Sequence, residues 1–485
     1  MKNNAEKANG RRSVHPGKSH REINRRRHKI SEKHKLRRKE KNRRRNIRKQ
    51  ESERRVVFHL HRTIVHFFPN LFDYIREIED YRSKSEYSLT ELIVSSIAMF
   101  IFISGSRNEF NNLREDGKFR KNYEKLFKLR LPHPDTADNV MRHLPEEALE
   151  KLKQRLIYAL IEKRSLHKYR FMDKYFIIAV DGTGIVSFDK QHCSQCLHKT
   201  SKKGKTTYFH NVLEAKLITS NGFSISIVTE WIENPGESGY DKQDCERKAF
   251  KRLAEKLKKS FPRLPICITA DGLYPYEGFF DTCRGYGWKY IVTFKDGSLP
   301  SIQEEVAELL PLMSENKRNE TFFNGNTRTD RHFLWVKGLS YRGNGIHWIQ
   351  CTETVRAEGK EPEVKKFVHL TDIEPDYRIC FYISEAGRLR WKIENEGFNS
   401  QKNNGYRLKH KYSRVSYRAM KNYYQCLQIA HMINQLLIYS TEFQNLLKGK
   451  ITIRHLWFLL IGKMVWDDID LPDMEDKKIQ IRFTT

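Results

Sequence analysis

The sequence predicts an α/β fold: a mixed sheet flanked by helices, with a β-rich insertion, a helical N-terminal domain and a disordered basic arm. Three observations lead there. The run Tyr175 to Gly184, YFIIAVDGTG, is apolar, rich in Ile, Val, Tyr and Phe, and stops at a carboxylate followed by glycine. That is the pattern of a strand buried on both faces. A second such run, Leu264 to Ala270, LPICITA, also ends in Asp-Gly, at Asp271-Gly272. One Asp-Gly after a strand is usually a turn. Two buried strands that each deliver an Asp at the carboxyl end are harder to explain as independent turns, and ligands of helix-covered sheets gather at such strand ends. Third, stretches of helical spacing stand before, between and after these runs.

Taken in order, residues 1–55 form the arm, with 23 Lys and Arg against six Glu. The blocks Arg25-Arg26-Arg27 and Arg43-Arg44-Arg45 suit phosphate contact through counterion release, and little in the arm can build a core. A solvated tail or a localisation signal is the plain alternative. Residues 56–172 read as a helical domain, which next to a basic arm suits DNA binding, although helical spacing alone fits any bundle equally well. Leu89-Thr90-Glu91 opens one helix, and Pro134-Asp135-Thr136 precedes another, with Asp135 or Thr136 as its cap. Residues 173–300 are the first part of a catalytic core. After the Asp181 strand, Tyr208 to Thr219 and Phe223 to Glu230 are joined at Ser220-Asn221-Gly222, a hairpin signal. Phe223, Ile225 and Ile227 alternate as a half-buried strand would. Asp241 to Ser260 is an amphipathic helix with Phe250, Leu253 and Leu257 on one side, and Tyr290 to Phe294 is a further strand. Residues 301–372 form the β-rich insertion, in which HFLWV, HWIQCTETV and KKFVHL are strand-like. Residues 373–450 complete the core, with RLRWKIENEGFNSQK at Arg388 to Lys402 and a helix from Ala419 to Tyr439. Residues 451–485 are a C-terminal tail.

The totals narrow the function. A net charge of +30 and a pI near 9.7 imply a polyanionic partner, nucleic acid before acidic membrane. Eight scattered cysteines, with Cys267, Cys351 and Cys380 inside apolar strand-like runs, point to reduced thiols and a reducing compartment. The longest apolar-rich run, Leu92 to Ile103, is too short to span a bilayer. The expectation is a soluble cytoplasmic protein without a membrane partner.

Phosphoryl transfer on DNA is the chemistry these carboxylates suit. In-line attack at phosphorus needs both the entering and the leaving oxygen stabilised, which two divalent ions roughly 3.5–4 Å apart achieve. Mg²⁺ or Mn²⁺ wants carboxylate oxygens, and three clustered carboxylates suffice. Asp181 and Asp271 supply two. Glu394 is the third, since on a helix it lies one turn from Arg390, which would meet a phosphate. The plain reading is a surface Arg-Glu pair. Glu396 lies off that face.

Asp181-Gly182-Thr183 after a strand, Asp271-Gly272 after another, a β-rich insertion, then Arg390-x3-Glu394 together resemble the bacterial insertion-sequence transposases of the DDE superfamily. The likeness is to the group with a Tyr-x2-Arg-x3-Glu-x6-Lys signature, and it covers roughly residues 90–440. It implies a ribonuclease-H-like core and Mg²⁺-dependent cleavage and strand transfer at transposon ends. It further implies double-stranded DNA as partner for both ends and target, a homodimer in the DNA complex, and a bacterial nucleoid-associated location. The metal ligands it implies are Asp181, Asp271 and Glu394, with Arg390 near a phosphate. The Tyr position is Gly387, and the Lys position is Gln401 with Lys402 adjacent. In some relatives a Trp of the insertion stacks on an extruded base. Trp335 and Trp348 stand in the insertion here, although a strand Trp is more often core.

A second constellation is Cys193-x-x-Cys196. It offers two thiolates to Zn²⁺, with His198 or His210 and Cys245 to complete a tetrahedron, or else it is a loop of reduced thiols. Two other functions fit parts of the chain: a DDE nuclease that does not join strands, and a catalytically silent DNA-binding remnant. An RNA binder would explain the arm but not two Asp-ended strands.

Overall fold

The Tyr175 run forms β1, Phe176–Phe188, which is longer than its sequence predicts. In this computed structural model residues 32, 34–43, 55–235, 243–447, 452–471 and 480–483 are described. The hairpin appears where Asn-Gly places it: β2 (Leu197–Thr200), β3 (Thr206–Ile218) and β4 (Ser224–Ile232) follow β1. Gly222 closes the turn between β3 and β4 at φ 113°, a backbone angle that L side chains rarely adopt. After the helix Glu246–Ser260 come β5 (Ile266–Ala270), the helix Glu277–Tyr286 and β6 (Lys289–Thr293). β1 pairs with β3 antiparallel and with β5 parallel, and β5 pairs with β6 parallel. The result is a mixed sheet flanked by helices.

The insertion belongs to the same sheet. After a helix at Pro300–Leu309, strands β7 (Lys317–Asn324), β8 (Thr327–Tyr341), β9 (Asn344–Ala357) and β10 (Glu363–Thr371) form an antiparallel ladder. β10 then pairs with β6, giving the order β2-β3-β1-β5-β6-β10-β9-β8-β7, with β4 beside β3. The sequence does not announce β7. Its residues KRNETFFN are mostly exposed, so no buried face marks them as a strand.

β1 alternates between two packed faces. Ile177 and Ala179 share a cluster with Ile383, Ile393 and Phe398. Ile178 and Val180 belong to the larger core with Phe250, Leu253 and Leu257 of the Glu246–Ser260 helix. β4 corrects an expectation: it is buried throughout, not on one face only. Helices Glu146–Glu162, Glu246–Ser260 and Tyr417–Ile438 all contact it, so Ser226 and Thr229 are as buried as Ile225 and Ile227. Two smaller corrections follow. His133, not Asp135 or Thr136, caps the Pro134–His143 helix by accepting the Asp135 N–H. Cys380 opens the helix Cys380–Arg388 instead of lying in a strand.

The chain forms two compact units, Met1–Arg55 and Val56–Thr485. The boundaries read at 172, 300, 372 and 450 therefore fall inside one unit. Its N-terminal helices, such as Leu89–Ile101, pack directly on Tyr417–Ile438. In the arm, residues 34–43 are helical and exposed; the sequence reads the arm as disordered alone and helical once its charge is neutralised. Lys, Arg, Glu and Leu are good helix formers, so the helix needs no apolar face to be drawn there. Arg43 lies on it; Arg25, Arg26, Arg27, Arg44 and Arg45 lie outside the described residues. Among the described residues no helix is long and apolar enough to cross a membrane.

Candidate active site

Register brings the two aspartates together. β1 and β5 pair in parallel up to Ala179 opposite Thr269, so Asp181 and Asp271, each two residues further on, come level on neighbouring strands. The sequence places Asp181 at a strand end, and here the structure differs. β1 runs on to Phe188 because β3 continues to pair with it, and only its pairing with β5 stops. Asp181 thus stands where β1 loses one neighbour and its side chain gains an open side. Asp271 follows β5 directly, and its Oδ1 accepts the Leu273 N–H at 2.9 Å, pinning the turn.

The third carboxylate arrives by a different backbone. Glu394 lies in a π-helical segment, Ile393–Asn399, not on the α-helix predicted for it. Such wide turns occur mostly as single-turn insertions and often at functional sites. Arg390 lies in a turn ahead of this segment, so the two residues do not share one regular α-helix. Arg390 instead places Nη1 3.5 Å from Asp181 Oδ2 and lies over the Trp391 ring, 4.5 Å from its centroid. Lys402 Nζ stands 3.8 Å from Glu394 Oε1. Trp391 is exposed, whereas Trp335 and Trp348 are buried as core residues.

Two charged residues at the site were not singled out in the sequence. Glu246 opens the Glu246–Ser260 helix, and a Cβ on Gly182 would fall on its carboxylate. Gly182 is glycine because another acid occupies the space beside the Asp181 strand. Lys295, just beyond β6, reaches to 3.7 Å from Asp271 Oδ2, and its stem covers Gly272 in the same way.

The electrostatics report crowding. Burial pushes Asp181 up to about 6; Arg390 opposes this, and Asp271 and Glu394 add to it. Burial also pushes Glu246 up to about 7, with Asp181 and Asp271 adding repulsion. These are coupled acids short of positive charge. Among the described residues the carboxylates do not draw three ligand atoms within 4.8 Å of one another. A two-ion site does not require it, because its ligands straddle an ion pair roughly 3.5–4 Å apart.

Both departures from the transposase signature have a structural reason. A Cβ on Gly387 would fall on the Nε2 of buried His369, so no tyrosine fits that position. Gln401 is fully buried, exchanging hydrogen bonds with Gln428 at 2.9 and 3.2 Å and bonding His431 at 3.0 Å. A lysine there would be buried in a polar network, and Lys402 faces the site in its stead. Gly387→Ala should therefore destabilise the protein by about 1–3 kcal/mol, the usual cost of overpacking. A lowered urea midpoint at unchanged slope is the check.

Cys193 and Cys196 lie beside His210. Cys245 is instead an exposed residue at the start of the Glu246 helix, and His198 is exposed on β2. No protein-family model matches the chain, and no curated protein matches it.

Proposed function

We propose that the chain is a DNA transposase of the DDE type, cutting and joining DNA strands by metal-dependent phosphoryl transfer. The observation that carries this reading is the convergence of Asp181 and Asp271 on adjacent parallel strands with Glu394 close enough to perturb Asp181. Within the five strands β4-β3-β1-β5-β6, β3 alone runs against the other four, an arrangement that suits the ribonuclease-H-like core that the sequence resemblance implies.

The residues fit Mg²⁺ or Mn²⁺. The donors are hard carboxylate oxygens, and the raised pKa values of Asp181 and Glu246 reflect a cluster that a divalent cation would relieve. Asp181, Asp271 and Glu394 would hold the metal, with Glu246 beside them. When bound, the ions would stabilise the attacking and leaving oxygens. The protein's own residues position the DNA. Arg390, buried beside Asp181, and the partly exposed Lys402 beside Glu394 supply cations for phosphate oxygens, and rigid β1 and β5 fix the acids. The basic arm, Arg43 included, adds sequence-independent affinity for double-stranded DNA, both the transposon ends and the target. The active assembly is a homodimer formed on DNA.

The test is a supercoiled plasmid carrying the element's flanking ends, incubated with Mg²⁺ and either wild type or Asp271→Ala. Wild type should nick at the ends and Asp271→Ala should not, while both shift end DNA in a gel. Cutting without joined products would mark a nuclease. DNA binding with no cutting by either protein would mark a silent DNA-binding protein and overturn the proposal.

A further inference from the structure

The loop between β1 and β2 carries a feature that DNA cleavage does not use. Residues 189–196 run across the sheet's end, and a turn with the Cys196 N–H donating to the Cys193 carbonyl at 3.3 Å brings the two thiols together. Their sulfurs are 3.6 Å apart, and each lies 3.4 Å from Nε2 of His210. His210 comes from β3, opposite Val186, just past the bulge that interrupts the β1–β3 register. Its ring is fully buried and held flat against Tyr417, with centroids 3.7 Å apart and planes 15° from parallel.

That triangle has the dimensions of one face of a zinc tetrahedron. Zn–S bonds of about 2.3 Å and Zn–N bonds of about 2.0–2.1 Å at tetrahedral angles put the two sulfurs roughly 3.8 Å apart and each sulfur roughly 3.6 Å from the nitrogen. The observed edges of 3.6, 3.4 and 3.4 Å each fall within a few tenths of an ångström of this. The nitrogen also points at both sulfurs at once, whereas a single imidazole N–H donates well along one direction only. Two thiolates and an imidazole are soft and borderline donors that select Zn²⁺ over Mg²⁺, so the site would not compete for the carboxylates' ion.

We infer that Cys193, Cys196 and His210 bind one zinc ion, with water in the fourth position, and that this ion fastens the 189–196 loop to β3. The fourth position falls to water because, among the described residues, no further His, Cys, Asp or Glu joins the group. The loop has other ties too: Asp189 pairs with Lys205, His192 stacks on Phe188 and meets the Arg414 carbonyl at 2.9 Å, Gln195 donates to Glu233, and Asn234 donates to the Gln195 and Cys196 carbonyls. The site is structural. It lies beyond the end of β1, with Cys193 and Cys196 in the loop and His210 on β3 opposite Val186, and none of the three is an active-site carboxylate.

Metal analysis of full-length protein purified without a histidine tag tests this. Wild type should hold about one zinc per chain after dialysis against metal-free buffer, and Cys245→Ser should hold the same. Cys193→Ser with Cys196→Ser, and separately His210→Ala, should lose nearly all of it. Should the variants misfold, cobalt(II) substitution of wild type gives an independent reading: a thiolate-to-cobalt charge-transfer band with the intense visible absorption of a tetrahedral ion. Wild type without zinc even after zinc is supplied, or cobalt bound without that band, overturns the inference. Neither result bears on DNA cleavage, so failure here leaves the transposase reading standing.

Discussion

Asp181→Asn removes strand cleavage by about 10³-fold or more and, at pH 7 without divalent metal, makes the protein more stable. The loss of activity follows from deleting an oxygen ligand at the reacting phosphate. The gain follows from the crowding. Asp181 is raised from its ordinary 3.8 to about 6 by burial, reinforced by Asp271 and Glu394, and the Arg390 contact does not cancel this. Between those two values the folded state binds more protons than the unfolded state, so stability falls as pH rises. Glu246, raised from 4.5 to about 7, extends the same slope toward neutrality. Metal-free wild type should thus lose stability from about pH 4 to pH 7. At pH 7 the variant escapes Asp181's share and relieves Glu246, which Asp181 repels. A shift of about two units corresponds to about 3 kcal/mol in full. Partial solvation of the site reduces the expectation to about 1–2 kcal/mol, or roughly 1–2 °C in Tm for a chain of this size. Thermal melts in EDTA across that pH range provide the check, and Mg²⁺ should stabilise wild type while hardly moving the variant. A variant that melts lower than wild type at pH 7 would mean that Asp181 is held by favourable partners.

What the sequence reveals of this site, and what it hides, follows one physical division. Asp181 and Asp271 are legible because each ends an apolar run, and burial on both faces leaves a local signature. The β3–β4 hairpin is legible because Asn221-Gly222 is a local turn signal. Glu246 is hidden: it stands in the polar stretch Asp244-Cys245-Glu246-Arg247, indistinguishable from the first turn of any helix, and its role comes from lying over Gly182 across the fold. The same holds for the insertion, whose strands are visible one by one while the β6–β10 pairing that joins them to the sheet is not. Gly387 and Gln401 read as lapses from a signature. In three dimensions they are a contact with His369 and a link in a buried amide network.

That division also hides a large expected stability effect, at Lys153. By sequence it is one lysine among the charged residues of the Glu146–Glu162 helix, set four residues after Leu149 and three before Leu156, and nothing local names its partners. In the fold it is fully buried, with Nζ donating to Ser226 Oγ at 2.9 Å and Thr229 Oγ1 at 2.7 Å on β4. Glu150 accepts the Thr229 N–H, and Glu214 on β3 accepts from Thr229 Oγ1 and the Tyr424 hydroxyl. Burial lowers the Lys153 pKa, and Glu214 and Glu150 act against that. Lys153→Ala would leave two buried carboxylates without this cation and open a cavity where the stem was. Removing one partner of a buried ionic cluster costs about 3–5 kcal/mol. Lys153→Met keeps the volume and should lose less, and adding Glu214→Gln to it should recover part of the remainder, because the uncompensated charge is then gone. Equilibrium unfolding of the three variants separates the contributions. Equal losses in Lys153→Ala and Lys153→Met, with no recovery in the double variant, would assign the effect to hydrogen bonding alone. Because the cluster ties an N-terminal helix to β4, and β4 to β3 beside β1, losing it should also reduce cleavage with all three metal-binding carboxylates intact. The N-terminal helices thus help to hold the sheet that positions Asp181, so the helical domain and the carboxylate site of the proposed transposase share one core.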